Sequence, residues 1–334
     1  MKRLRFALAA AAWLLAASPA SAHPVPFSYL DVRIEPHAID VTLVAHVFDL
    51  AHDRGNLEIA ADGRTLAATW SGPEAMADPQ SRRFRIRYRL DAAPGSITVS
   101  ALMFPYDPSH QTFLNIYEGG TLRSQAILDR SRTQFEYFSG TRQGVAAVMR
   151  KFIPAGIHHI LIGPDHLLFL VGLLLLGGSM RRLAVVVTAF TVAHSVTLSL
   201  AVLNIVSPPA RLIEPAIALS IVYVGADNLL VHGGRDVRAW IALTFGFIHG
   251  FGFANVLREM DLPARALGWS LFSFNVGVEI GQLLVVASVA TALAALRSRD
   301  EEFGQRLAFA GSLVVVVAGT FWFIQRVFFP GGIS

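Results

Sequence analysis

Cysteine is absent from the 334-residue chain, so it forms no disulfide and offers no thiolate to a soft metal. Lys2 and Lys151 are the only lysines, which excludes a Walker A phosphate loop and an intramembrane Schiff base. Met76, Met103, Met149, Met180 and Met260 avoid the centres of the apolar runs, so thioether ligation of copper(I) within the membrane is excluded as well. Charge is also scarce: 16% of residues are charged against 53% hydrophobic, too apolar for an ordinary soluble domain. The apolar excess falls after position 156.

The chain opens with Lys2, Arg3 and Arg5 before the apolar run Phe6 to Ala17, and Ala20-Ser21-Ala22 gives the small-residue pattern of a signal-peptidase site. Residues 1–22 are therefore expected to be a signal peptide. Residues 23–132 would then form an exported domain that holds together without disulfides. Period-two runs at Tyr29–Ile34, Ile39–Phe48, Arg64–Trp70, Arg82–Leu90, Ile97–Phe104, Phe113–Tyr117 and Leu122–Leu128 predict an antiparallel β-sandwich of immunoglobulin-like arrangement. Asp62-Gly63 is a hairpin signal and Pro94-Gly95 a turn. In Arg82–Leu90, Phe84, Ile86, Tyr88 and Leu90 fall on one face and Arg83, Arg85, Arg87 and Arg89 on the other. The arginine face reads first as a solvated outer surface, with anionic lipid or an acidic partner as the sharper alternative. His23 as a new N-terminus, with His46 or His110, is a candidate metal-acquiring group, against the plainer reading of surface or packed histidines.

Residues 133–156 read as an amphipathic interfacial segment, in which Phe135, Tyr137, Phe138, Val145, Val148, Met149 and Phe152 alternate with Arg142, Arg150 and Lys151. Beyond it, hydropathy predicts an all-α six-helix transmembrane domain over 157–330, with spans near 157–177, 183–205, 211–231, 238–258, 266–296 and 306–328. The whole is thus expected to be an α+β multidomain protein of the cytoplasmic membrane. Export of the N-terminal domain puts Arg181, Arg182, Arg235, Arg238, Arg297, Arg299 and Arg306 in cytoplasmic turns, and Arg211, Arg258, Arg265 and Arg326 outside. That bias agrees with the positive-inside rule. The net charge of +4 is accordingly a matter of topology, and no nucleic-acid partner is expected.

His158, His159, Asp165 and His166 sit at the mouth of an apolar stretch, where an aspartate costs about 2.5–3.5 kcal/mol to insert. Imidazole and carboxylate suit borderline divalent metals such as Ni, Co and Zn. His159 and His166 share a helix face, as do His158 and Asp165, the two faces about 100° apart. Gly163-Pro164 breaks the helix between them, the device by which transporters expose backbone and ligands to a cation. Other spans contribute Thr188, Thr191, His194, Ser195 and Thr197; Glu214, Ser220, Tyr223 and Asp227; His249; and Asn275, Glu279 and Gln282. Gly246, Gly250 and Ala254, with Gly277 and Gly281, are small residues at four-residue spacing that permit close helix packing. The candidate metal residues are His158, His159, Asp165, His166, His194, Glu214, Asp227, His249, Asn275 and Glu279. The bland alternative is that each is satisfied by its neighbours, and Asp227 near a helix end is the plainest case.

His159-x5-Asp165-His166, then FTVAHS (190–195), IEPAIALSIVYVGADN (213–228), FGFIHGFGFA (245–254) and FNVGVEIGQL (274–283), together resemble the HupE/UreJ family of membrane proteins over about Gly156 to Leu283. The resemblance implies a nickel or cobalt permease whose signature couples a histidine to an Asp-His pair in one transmembrane helix, positions matched by His159, Asp165 and His166. Ile160 stands where proline or alanine often follows the first histidine, and the long exported domain marks a separate branch. The expectation is a permease for a divalent transition metal ion: His158, His159, Asp165 and His166 strip hydration, His194, His249 and Glu279 pass the ion inward, and Glu214 attracts it. No tightly bound cofactor is expected; Ni, Co or Zn is the transported ion, and the bilayer and an extracytoplasmic metal-delivery protein are the candidate partners. The alternative is an intramembrane zinc hydrolase, although neither HExxH nor GxSxG occurs.

Overall fold

A computed structural model describes residues 27–230, 236–253, 262 and 264–329. The expected signal peptide, His23, His232, Ala254 and Arg258 lie outside the described residues. The chain divides into two compact units, the first mainly residues 27–93 and 98–135, the second 94–97 and 136 onward.

The first unit is built from strands β1 (Phe27–Glu35), β2 (Ala38–His46), β3 (Gly55–Ala61), β4 (Arg64–Thr65), β5 (Ala68–Ala75), β6 (Ser81–Arg89), β7 (Ser96–Met103), β8 (Gln111–Glu118), β9 (Thr121–Leu128) and β10 (Gln134–Phe138). They form a six-stranded sheet in the order β5-β6-β2-β1-β8-β9 and a four-stranded sheet in the order β10-β7-β3-β4. Each sheet has one buried face, carried by alternation: Leu30, Val32, Val41, Leu43, Phe84, Ile86, Leu114 and Ile116 in the larger sheet, Ile59, Ile97, Val99 and Ala101 in the smaller. The larger sheet is mixed, because β1 and β8 pair in parallel while its other described pairs are antiparallel. Asp62 and Gly63 both take positive φ between β3 and β4, the hairpin geometry that Asp-Gly favours. Phe84, Ile86 and Tyr88 are buried while Arg85, Arg87 and Arg89 are exposed; Arg85 pairs with Glu74 and Arg87 with Asp40.

His46 and His110 are committed locally. His46 bonds Gln80 and the Phe48 amide, and His110 is buried against Ser28, which bonds Thr112. Burial lowers the pKa of His110.

The second unit contains helices α1 (Arg142–Ile162), α2 (Pro164–Leu174), α3 (Met180–Val202), α4 (Ala210–Leu230), α5 (Arg238–His249), α6 (Ala264–Arg299) and α7 (Glu301–Phe328). Five of them, α1, α3, α4, α6 and α7, are long and apolar enough to cross a membrane. The first apolar span therefore differs from the expected 157–177. Its helix begins at Arg142, capped by the Thr141 hydroxyl accepting from Gly144 N–H, and stops at Gly163, after which α2 starts afresh with Pro164 in its first turn. The segment expected to lie at the interface divides between β10 and the first turns of α1. The fourth span is a 12-residue helix followed by a 3-10 turn at Gly250–Phe253.

Helix α1 packs along α6, α4 along α7, and α3 along α5 and α6. The closest approach is at Gly156 and Gly277: a Cβ on Gly277 would lie 2.1 Å from the Ile153 carbonyl oxygen, and one on Gly156 would lie 2.1 Å from that of Phe274. Only hydrogen fits at either position. Two apolar clusters flank the resulting interior. Phe152, Ile160, Leu183, Val187, Phe274 and Val278 fill one, and Phe169, Phe190, Ile221, Val224 and Ala242 the other.

Candidate metal centre

Four histidines meet between the two clusters. His159 comes from the last turn of α1, His166 from the first turn of α2, His194 from α3 and His249 from the end of α5. Ring centroids are 4.6 Å apart for His159–His166, 6.3 Å for His159–His194, 6.1 Å for His166–His194 and 5.0 Å for His166–His249. One ring nitrogen from each of His159, His166 and His194 lies within 4.8 Å of the others, the one such group of metal-ligating side chains among the described residues.

Local backbone chemistry explains the approach of the first two. Gly163 N–H still bonds the His159 carbonyl at 3.0 Å, but its extended ψ of 103° ends α1 and turns the chain into α2. A Cβ at Gly163 would stand 2.7 Å from the His159 carbonyl oxygen and 3.1 Å from His166 Nδ1. Glycine is therefore what lets the two imidazoles share one pocket. On the other side, a Cβ on Gly250 would meet the His194 carbonyl oxygen at 2.4 Å, and one on Gly246 that of Phe190 at 2.6 Å. These contacts bring α5, and with it His249, against α3.

The hydrogen-bond network sets which nitrogen of two rings keeps its lone pair. Asn275 donates its amide to the Leu271 carbonyl, leaving its Oδ1 to accept from His194 Nδ1 at 3.4 Å; His194 Nε2 is then the free base. Ser220 donates to the Ile217 carbonyl, so its oxygen accepts from His249 Nε2 at 2.9 Å, and Nδ1 is the free base. Orientation of this kind by an outer partner is how metal-binding imidazoles are commonly held. The nitrogens left over, Nε2 of His159, His166 and His194 and Nδ1 of His249, are buried and without a hydrogen-bond partner among the described residues. Each such group costs about 1–3 kcal/mol if nothing satisfies it. Four such nitrogens on clustered rings are a donor set that a divalent metal ion could use.

Aromatic rings enclose the cluster. Phe253 and Phe274 stack on each other at 4.9 Å and both pack on His159. Phe190 and Phe169 lie against His249, and Phe190 also against His166 and His194.

The remaining sequence candidates stand elsewhere. Asp165 is bound by Arg326 of α7 through both carboxylate oxygens, at 3.0 and 2.9 Å. His158 and Glu214 are exposed, and the backbone carbonyl of Glu214 accepts from Arg326 at 3.1 Å. Asp227 is half-buried and outside the donor group. Glu279 accepts from Thr188 at 2.6 Å, leaving its other oxygen buried and unpartnered among the described residues, and lines a groove between α3 and α6 with Thr191, Ser195 and Asn275. Asn275 thus serves the site through His194.

Sequence reasoning missed the arginines. Arg238 and Arg297 read from the sequence as charges of cytoplasmic turns and Arg326 as an outer charge, yet Arg238 donates to the Leu173 and Gly177 carbonyls at 2.9 and 2.7 Å, and Arg297 to those of Leu175 and Leu176. Their positions at span ends were visible; their partners were not.

A search of curated proteins finds no match to the chain. Its sequence does match the HupE / UreJ protein family across residues 137–326. With more than half its length covered by that match and five helices able to span a bilayer, the chain belongs to the HupE/UreJ family and is a multi-pass membrane protein.

Proposed function

We propose that the chain is a permease for a divalent transition metal ion, nickel or cobalt first, and that the ion passes through the imidazole cluster of His159, His166, His194 and His249. One observation carries the reading: a ring nitrogen from each of His159, His166 and His194, on three helices, lies within 4.8 Å of the others, and each of these rings has a buried Nε2 with no partner among the described residues. Imidazole nitrogens surround such an ion at about 2.0–2.1 Å, so tetrahedral donors sit roughly 3.4 Å apart. The nitrogens here, within 4.8 Å of one another, would close on the ion by about an ångström. His249, in contact with His166, supplies the next donor. The exported domain and a metal-delivery protein would bring the ion to the bundle, and Glu279 would take it onward along the groove between α3 and α6.

Three imidazoles with an open position are also the ligand set of hydrolytic zinc. Such an enzyme needs a base beside the bound water, but the carboxylate next to the cluster in sequence, Asp165, is engaged by Arg326, and Glu279 lines the groove between α3 and α6, outside the donor group. This favours transport. Nickel and cobalt uptake by cells carrying His166→Ala tests it: accumulation is expected to fall to the level of cells lacking the protein, and accumulation equal to the unsubstituted protein would end the proposal.

A further inference from the structure

Helix α2 is an 11-residue helix that carries His166 and is held at both ends by arginines from elsewhere in the chain. At its carboxyl end, Arg238 binds the Leu173 carbonyl and that of Gly177 just beyond, and Arg297 binds those of Leu175 and Leu176, which follow the helix. Its amino end is held by Arg326, from the last turn of α7, which grips Asp165 with a single Nη2 bridging both carboxylate oxygens. Both side chains are only 21% exposed, Arg326 also bonds the Glu214 carbonyl, and Trp322 flanks the guanidinium. Asp165 precedes His166 directly, yet its oxygens do not join the donor group that His166 forms with His159 and His194.

We propose that Asp165 is not a ligand of the ion but forms with Arg326 a neutral clamp that fixes the amino end of α2 and so positions His166. The inference rests on the permease reading and deepens it. Arg326 draws both carboxylate oxygens toward α7, and they stand outside the donor group of His159, His166 and His194. The pair also cancels its own charge, so an arginine can stand near a cation path without closing it. Loss of either partner leaves an unbalanced charge in a half-buried place and frees the first turn of α2. Arg326 is thus a positioning residue for a ligand 160 positions away in sequence.

The test uses the full chain in detergent and in lipid vesicles, with Co(II) as the probe, reading affinity, the visible absorption of the bound ion and uptake. Asp165→Asn and Arg326→Ala are each expected to weaken Co(II) binding by roughly 10–100-fold, as outer-shell partners of a metal ligand do. Arg326→Lys is expected to recover most of that loss. The exchanged pair D165R/R326D is expected to bind within a few-fold of the unsubstituted protein, with the same absorption spectrum, because no ligand has changed. An exchanged pair as weak as Asp165→Asn, or with an altered spectrum, would make Asp165 a ligand and overturn the clamp. If the exchanged protein does not fold, the single variants decide: Arg326→Ala binding as tightly as the unsubstituted protein overturns the clamp, and weakening rescued by lysine upholds it. Absence of any Co(II) band in the unsubstituted protein would remove the permease reading and this one with it. A band that is present, with a failed exchange, removes only the clamp.

Discussion

Gly163 is the residue on which the site turns. It both ends α1 and leaves room for His166 Nδ1, and any Cβ there collides with the His159 carbonyl. Gly163→Ala is therefore expected to force the two imidazoles apart and to weaken Co(II) binding by roughly tenfold or more, a loss read by titrating the absorption band. At this scale much was legible. The shared face of His159 and His166, the Gly-Pro break between them and the placement of His249 among apolar neighbours can be read from the sequence; His194 stands out there only as one of several polar groups on its span. The partner of Asp165 was not legible for a physical reason: its charge and adjacency to His166 are local facts, but the arginine it meets comes from α7, 161 residues away. Spacing along one helix cannot say which cation another helix presents.

Among the elements, strands were the more readable. Alternation in Arg82–Arg89 sorts buried aromatics and aliphatics from exposed arginines without reference to any neighbour. β3 was not expected, because Gly55-Asn56 and Glu58 dilute its pattern and only Ile59 and Ala61 are buried there. The start of α1 was lost to Arg150 and Lys151, which depress local hydropathy although the helix runs through them; Lys151 pairs with Glu136. Helix α2 depends on Arg238, itself oriented by Asp236 through bonds of 2.9 and 2.8 Å. Those bonds hold the Asp236 carboxyl down at about 2, against an ordinary 3.8. A depressed carboxylate stabilises the fold above its ordinary value and loses that contribution as pH falls from about 4 through about 2. Thermal unfolding followed across this window should therefore fall with acidity in the unsubstituted protein and more shallowly in Asp236→Asn.

For the whole molecule, the cluster ties α1, α2, α3 and α5 to one point. An ion bound there binds the folded bundle and not the separated helices, so it raises stability by about 2.7 kcal/mol at a hundredfold excess over its dissociation constant. Unfolding temperature is expected to rise with added nickel or cobalt, and His194→Ala should abolish the rise while leaving the apo protein folded; an equal rise in both would place the ion elsewhere. The membrane character of the second unit was visible in composition, and the strands of the first in their period-two runs. Helix partners were less so, since Gly156 and Gly277 meet through shape that only the paired backbones define.

The aspartate's engagement by Arg326 has a consequence for traffic. A pocket of uncharged nitrogen donors in an aromatic frame would leave the charge of a divalent guest uncancelled, so it would select for ions that bond strongly to imidazole rather than for charge alone. Magnesium and calcium, the abundant hard ions that demand oxygen, would find no welcome there at all.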